Sequence, residues 1–416
     1  MSADAIKNDE FGPEYVVRVY DAKIGMEGFL VIDNTALGPG KGGIRMTPNV
    51  TVEEVLRLAR TMTWKNALAG IPFGGAKAGL VWPPSCAKAA SFAEVVTKAE
   101  SEGKSSELDL KKLHVQSFAR ALKPLIPSKY IAGPDVNSGE KEMQWFAEAV
   151  GIWQSATGKP ANFCIARSSL GEGGREKKCG LPHELGSTGF GVAHSAKVAA
   201  EIVGIDMKGA SVAIEGFGNV GSFAFKYLKE MGAKIVAVSD SRGAAYLESG
   251  LDEKILHDLK AAKKSVADYP GAPRQSSGQA KKLTSDEFFA LPVDILVPAA
   301  VTDVINEKNK DNIMAKIIVE GANIPMRENI EDELFRKGII IVPDFVANAG
   351  GVISSYAEYM GYPPAKMFEL VKEKVTKATR EVMEKSIKEK RNPREVAMEI
   401  AKEKVLSAAG KRRAVF

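Results

Sequence analysis

Two rhythms of apolar residues divide this chain. Early on, EYVVRVYD and GFLVIDN read as short strands, after which Val55, Leu58 and Met62 recur at steps of three and four, the period of a helix with one buried face. Thr51 followed by Glu54 reads as a capping box and Gly70 as a stop, which predicts a helix from about Val52 to Ala69. Lys65 continues the same stripe, so its ammonium is aimed inward. Further on the period changes. SVAIE at 211–215 is a short apolar strand, and Gly216-Phe217-Gly218-Asn219-Val220-Gly221 then opens a helix that runs to about Met231 and stops at Gly232. KIVAVSD follows and closes on Asp240, about 20 residues past the last glycine, with Ser241 and Arg242 next.

Strand, glycine turn, helix, strand and terminal acid in that order form the dinucleotide-binding fingerprint. Gly216 makes the turn, Gly218 lets a pyrophosphate come close, and Gly221 packs helix on strand, while the helix N-terminus meets the phosphate charge. DILVPAA, IIVEGAN and IIIVPDF are unbroken apolar runs, as expected of parallel strands covered on both faces. They finish in Ala299-Ala300, in Asn323 and, just beyond the third, in Asn348. A doubly wound sheet places its ligand outside such carboxyl ends, although either asparagine also suits a loop cap. Residues 260–282 are polar and predict a helix end and an exposed loop, and 167–180 reads as a solvated connection.

The fold class expected is therefore α/β. An N-terminal α/β substrate domain spans 1–186, a doubly wound, Rossmann-like dinucleotide-binding domain spans 187–345, and charge-rich C-terminal helices over 346–416 pack across the interdomain cleft. The N-terminal part holds three lysines in unusual company: Lys41 in GPGKGGIR, Lys65 in MTWKNALAG and Lys77 in PFGGAKAGL. A lone lysine is ordinarily a solvated surface charge. Three among glycines and apolar residues predict a cleft where ammonium groups converge on an anionic substrate and depress one another's basicity.

Composition narrows the partners. The 416 residues are 45% hydrophobic and 26% charged with a net charge of +5, which suits a soluble globular protein handling an anionic metabolite or nucleotide phosphates. No basic stripe interleaved with aromatics argues for nucleic acid. No segment approaches the ~18 apolar residues of a membrane span and the N-terminus lacks a hydrophobic signal core, so no membrane partner and a cytoplasmic location are expected. Cysteines 86, 164 and 179 are too few and scattered for a disulfide framework. Cys179 and His183, with Cys164 upstream, lack the paired spacing of a zinc site, so no metal is expected.

Together GPGKGGIR, MTWKNALAGIPFGGAKAGL, AGPDVNS, GSTGFGV, EGFGNVGSFAFKYLKEMGAKIVAVSDSRG, ILVPAA, VEGAN and PDFVANAGGVISSYAEY resemble the glutamate/leucine/phenylalanine/valine dehydrogenase family, in the family's order, over about residues 15–360. The resemblance implies a substrate domain followed by a dinucleotide domain of reversed strand polarity. It also implies reversible NAD(P)-dependent conversion of an amino acid to a 2-oxo acid and ammonia, and a homo-oligomer, a hexamer by the family's habit. By the same resemblance Lys77 is the catalytic lysine and Asp135 the acid that shuttles protons to the amino group. Lys65 binds the substrate α-carboxylate beside Met62, and Thr188, Asn219, Val220, Asn323 and Asn348 contact the cofactor. Lys41 and Ser355 match the pair that binds the side-chain carboxylate in the glutamate branch, so glutamate is expected, with a branched-chain dehydrogenase as the alternative and a catalytically silent nucleotide-sensing homologue as a third reading. Asp240 can accept both ribose hydroxyls of NAD while Ser241 and Arg242 can hold the 2′-phosphate of NADP; either cofactor is expected, NAD slightly favoured. The short N-terminus, the segment 163–186 and EGANIPM depart from the family pattern.

Overall fold

A computed structural model describes residues 8–83, 107–166, 177–270 and 280–413. The chain falls into two compact units, one made of residues 1–185, 354–367 and 401–416, the other of 186–353 and 368–400.

In the first unit, strands β1 (Tyr15–Asp21), β2 (Met26–Asn34), β3 (Gly40–Thr47), β4 (Gly74–Val81) and β5 (Tyr130–Gly133) form one sheet in the order β1-β2-β4-β3-β5. β2 is antiparallel to β1 and β4, whereas β3 runs parallel to β4 and β5. Alternation along the strands sorts their side chains onto two faces. Ile32, Ile44, Met46, Ala76, Ala78 and Leu80 join the main core, where they meet Val115 and Phe118 of helix Glu107–Leu122 and Phe146 of helix Glu140–Val150. The opposite face lies under helix Val52–Leu68, with Val31, Val50, Val55 and Ala59 between them.

That helix starts and stops where its sequence predicts, with Thr51 accepting the Glu54 N–H and Gly70 at φ +61°. Only half of the capping box forms, because the Glu54 carboxylate turns to Arg45. The buried line is also displaced: Val55, Ala59, Thr63 and Asn66 are buried, while Leu58, Met62 and Lys65 are half-buried. The cause is how closely β4 approaches. A methyl group on Gly75 would lie 2.0 Å from Thr63 Oγ1 and 2.6 Å from the Ala59 carbonyl oxygen, so small side chains take the innermost positions.

The sequence expectation fails for the cysteines. Cys164 and Cys179 sit opposite each other in the antiparallel pair β6 (Cys164–Ala166) and β7 (Lys177–Cys179) and are joined by a disulfide, Cα to Cα 4.1 Å. Their 15-residue separation is bridged by an antiparallel strand pair that no apolar pattern in so polar a stretch announces. Most of the expected solvated connection lies outside the described residues.

The second unit carries a seven-stranded sheet in the order β11-β10-β9-β8-β12-β13-β14. β8 (Ser211–Glu215), β9 (Lys234–Asp240), β12 (Ile295–Pro298), β13 (Ile317–Val319) and β14 (Ile340–Val342) are the five predicted strands and are mutually parallel. β10 (Gly243–Tyr246) runs antiparallel to both β9 and β11 (Lys281–Leu283) and supplies the reversed polarity. Helix Glu253–Ala261 ends within 260–282 as that stretch predicts, whereas β11 takes its last two residues out of the expected loop, being too short to show a period; 271–279 lie outside the described residues. The chain builds outward from β8 to β9, then returns to β12 on β8's other side, so the topological switch point lies between β8 and β12. After helix Gly350–Met360 come helices Pro364–Glu389 and Pro393–Arg413. Among the described residues no helix is long and apolar enough to cross a membrane.

Candidate functional site

On the face of the first unit's sheet that lies under helix Val52–Leu68, β3 contributes Lys41, Gly43 and Arg45, and β4 contributes Gly75 and Lys77; Lys41 pairs with Gly75 in register. Lys41 and Lys77 are both buried, 3% and 7% exposed, which decides against a solvated role for either. The Lys77 ammonium is 3.1 Å from Asp135, just beyond β5, and the Arg45 Nε–H donates to the same carboxylate oxygen at 3.0 Å. Asp135 is held by its own backbone: its N–H donates to Ser138 Oγ, and Ser138 Oγ–H donates to the Ile44 carbonyl. Burial lowers the Lys77 pKa and the Asp135 carboxylate raises it again, with burial prevailing. Lys77 is thus an amine of reduced basicity in contact with a fixed acid.

Lys41 is pushed down to about 7, chiefly by burial, against the pull of Glu358 and with Lys77 and Lys159 adding to the depression. Its ammonium lies over Gly133, where a methyl group would sit 2.2 Å from Nζ. The glycine of AGPD is therefore a spatial requirement for Lys41. Met62 and Lys65, three apart on the helix above, stand half-buried at the edge of the buried line. Ser355 is half-buried on helix Gly350–Met360, three residues before Glu358 and so on the same side of it. Arg45, Lys159 and Glu358 were not anticipated. Arg45 was visible in K-G-G-I-R at the same strand parity as Lys41, but Glu358, the one acid in the segment GGVISSYAEYM, gives no local signal of a partner.

The second unit is built to receive a dinucleotide. Gly216 has φ +92° and no room for a side chain, since a methyl group would lie 2.6 Å from Ala300 Cβ. A methyl group on Gly221 would strike the Gly216 carbonyl oxygen at 1.9 Å, whereas one on Gly218 would meet nothing within 4 Å. The turn is thus closed on the protein side and open at the helix start. Helix Asn219–Glu230 has no side-chain cap, and the buried Asn219 Oδ1 has no protein partner among the described residues. Uncapped N–H groups and this open turn suit a pyrophosphate. Val220 is half-buried within the same first turn, and Thr188 is buried in the first turn of helix Ser187–Ile202, also without a side-chain cap. Ala299 and Ala300 follow β12 and donate their N–H groups to the Glu215 carboxylate. Asn323 is exposed after β13, and Asn348 donates to its Oδ1 at 2.9 Å.

Asp240 ends β9 as expected, yet its carboxylate is already engaged. Oδ1 accepts from the Arg242 N–H at 2.8 Å, Oδ2 accepts from the Val266 N–H at 2.9 Å, and the Ser265 hydroxyl bridges both oxygens. A cavity of about 620 Å³ beside it is lined by Ser239, Ser241, Arg242 and Lys282, among others.

Residues 13–151 match the family description "Glu/Leu/Phe/Val dehydrogenase, dimerisation domain" and residues 180–413 match "Glutamate/Leucine/Phenylalanine/Valine dehydrogenase". The chain is 38% identical to the glutamate dehydrogenase of Aeropyrum pernix over 392 residues, covering 90% of this chain and 84% of that protein. It is 38% identical to the NADP-specific glutamate dehydrogenase of Saccharolobus shibatae over 326 residues, covering 78% and 69%. Among solved structures it is similar to the glutamate dehydrogenase of Peptoniphilus asaccharolyticus, with a TM-score of 0.74 at 28% identity over 96% of this chain and 92% of that one. With the acid-paired lysine of one unit and the open glycine turn of the other, these matches show that the chain belongs to the glutamate/leucine/phenylalanine/valine dehydrogenase family of NAD(P)-dependent amino acid dehydrogenases.

Proposed function

We propose that this enzyme catalyses the reversible NAD(P)-dependent oxidative deamination of L-glutamate to 2-oxoglutarate and ammonia. The observation that carries the reading is the pair of buried lysines on one sheet face, one joined to Asp135 and the other poised for a second carboxylate. The nicotinamide, when bound, supplies the redox chemistry. The chain's own residues do the rest. Lys65 holds the α-carboxylate beside Met62, and Lys41 with Ser355 holds the side-chain carboxylate. Lys77, its amine made less basic by burial, takes the proton from the water that attacks the iminium carbon, and Asp135 carries protons to and from the substrate nitrogen. An apolar side chain against Lys41 would leave a buried ammonium without a partner, which is costly and disfavours the branched-chain substrate.

Purified enzyme given ammonia, NADH or NADPH and a panel of 2-oxo acids should turn over 2-oxoglutarate in preference to 2-oxoisocaproate; the reverse preference would overturn the substrate. Lys77→Met should lower kcat by ~100- to 10,000-fold while cofactor binding persists.

For the cofactor, Asp240 is committed to the Ser265 turn, which leaves its oxygens little capacity for ribose hydroxyls. Ser241, Arg242 and Lys282 at the adjoining cavity favour the 2′-phosphate, so NADP is the better-held form and NAD a weaker one. The relatives described as NADP-specific, in Saccharolobus shibatae and Halobacterium salinarum, support this. A homo-oligomer, hexameric in its full form, is the assembly we expect; a hetero-hexameric glutamate dehydrogenase of Thermus thermophilus is a structural neighbour with a TM-score of 0.73 at 26% identity.

A further inference from the structure

Beneath Lys41 lies a second ion pair that the proposed chemistry does not use. Lys159 and Glu358 are each 0% exposed and their charged groups are 2.6 Å apart. The Lys159 ammonium also donates to the carbonyls of Trp153 and Ala156 and lies 4.0 Å from the centre of the Trp153 ring. The Glu358 carboxylate accepts the N–H groups of Gly158, Lys159 and Leu181 as well. The strip carrying Lys159 runs beside β5, where Thr157 N–H donates to the Ala132 carbonyl at 3.0 Å, and a methyl group on Gly158 would meet Pro134 at 2.8 Å. Lys41 lies over Gly133, between those two points.

A pair so thoroughly bonded and so fully dry is weak as a source of stability, because desolvating both charges offsets their attraction. Its field is another matter, since charges in a low-dielectric interior act strongly on one another. Resting on the function proposed above, we propose that Glu358 is a positioning residue for substrate selection: through its pair with Lys159 it sets the charge that Lys41 presents to the side-chain carboxylate. The charged groups bearing on Lys41 are Glu358 from helix Gly350–Met360, Lys77 from β4 and Lys159 from the strip beside β5, and Glu358 is the strongest of the three and the acid among them. Removing Glu358 leaves Lys41 among like charges and easier to deprotonate. Removing Lys159 leaves it beside an unopposed carboxylate and harder to deprotonate.

The two single variants therefore pull in opposite directions, which damage to the fold would not do. The test measures kcat/KM from pH 6 to 9 for 2-oxoglutarate and for 2-oxovalerate, which lacks the second carboxylate. In Glu358→Gln the alkaline fall for 2-oxoglutarate should move at least one pH unit toward acid, a loss of about ten-fold at pH 8, with the 2-oxovalerate profile unmoved. In Lys159→Met the fall should move toward alkali. Should either single variant fail to fold, the double variant Lys159→Met/Glu358→Gln leaves neither charge alone; its fall should move toward acid by less than that of Glu358→Gln, and an unmoved fall would overturn the proposal. Shifts of the same sign in both singles, or equal losses for both substrates, would also overturn it. Wild-type enzyme that does not turn over 2-oxoglutarate at any pH would instead overturn the proposed function.

Discussion

Lys41, in the role proposed for it, is a charge that works against the fold that holds it. Its pKa falls from 10.5 to about 7 on burial. Below about pH 7 the lysine is protonated in both folded and unfolded chains, and the full penalty for burying the charge is present. Between about 7 and 10.5 only the unfolded chain holds the proton, so stability rises with pH by about 1.4 kcal/mol per unit. Lys41→Met should therefore stabilise the protein more at pH 6 than at pH 9, by roughly 3 kcal/mol, while removing selection for the second carboxylate. Urea denaturation at the two pH values checks this; equal effects would contradict it. The lysines were legible in the sequence because glycines surround them, and glycine is what the close approaches at positions 75 and 133 demand. Glu358 was not legible, since its partners lie about 200 residues away and no local pattern records them.

At the level of elements, the fingerprint over β8 and β9 was readable because each glycine answers to a local constraint: a positive φ, an open approach, a helix-to-strand contact. Its terminal acid has partners that the motif does not record. Asp240 occupies the expected place and also anchors the Ser265 turn, which lies too far along the chain to show in the motif. Asp240→Ala should accordingly loosen that turn and lower kcat/KM for both cofactors, whereas Arg242→Ala should lower it for NADP alone, by roughly ten-fold; kinetics with both cofactors decide this. The helix Pro393–Arg413 is tied to the dinucleotide sheet by Arg394, whose guanidinium bonds Glu320, Glu331 and Asp344. Both glutamates are 0% exposed, and burial raises their pKa values despite the arginine. Arg394→Met would strand these carboxylates and should cost roughly 3–5 kcal/mol in stability, measurable as a lowered denaturation midpoint at pH 7 that partly recovers at pH 5, where the freed acids take up protons.

Across the whole molecule, the first unit takes residues from three separate stretches of chain and the second from two. Predicted boundaries at 186 and 345 describe a simple succession, which apolar periodicity naturally suggests, because it reports on each element and not on where a later helix returns. The helix Gly350–Met360 carries residues of both units, with Ser355 and Glu358 in the part that belongs to the first. The Lys159–Glu358 pair thereby acquires a place in time as well as in space. On the ribosome Lys159 emerges first, and the whole of 186–353 must be synthesised before its carboxylate arrives, roughly 10–40 s later at ordinary elongation rates. Until then a buried ammonium has no counter-ion and the floor beneath Lys41 is unfinished. Nascent chains arrested near residue 340 should leave residues 153–166 open to protease, while chains arrested well beyond residue 400 should protect them. The pocket proposed for glutamate is thus among the last features of the protein to mature, although most of its residues are among the first to be made.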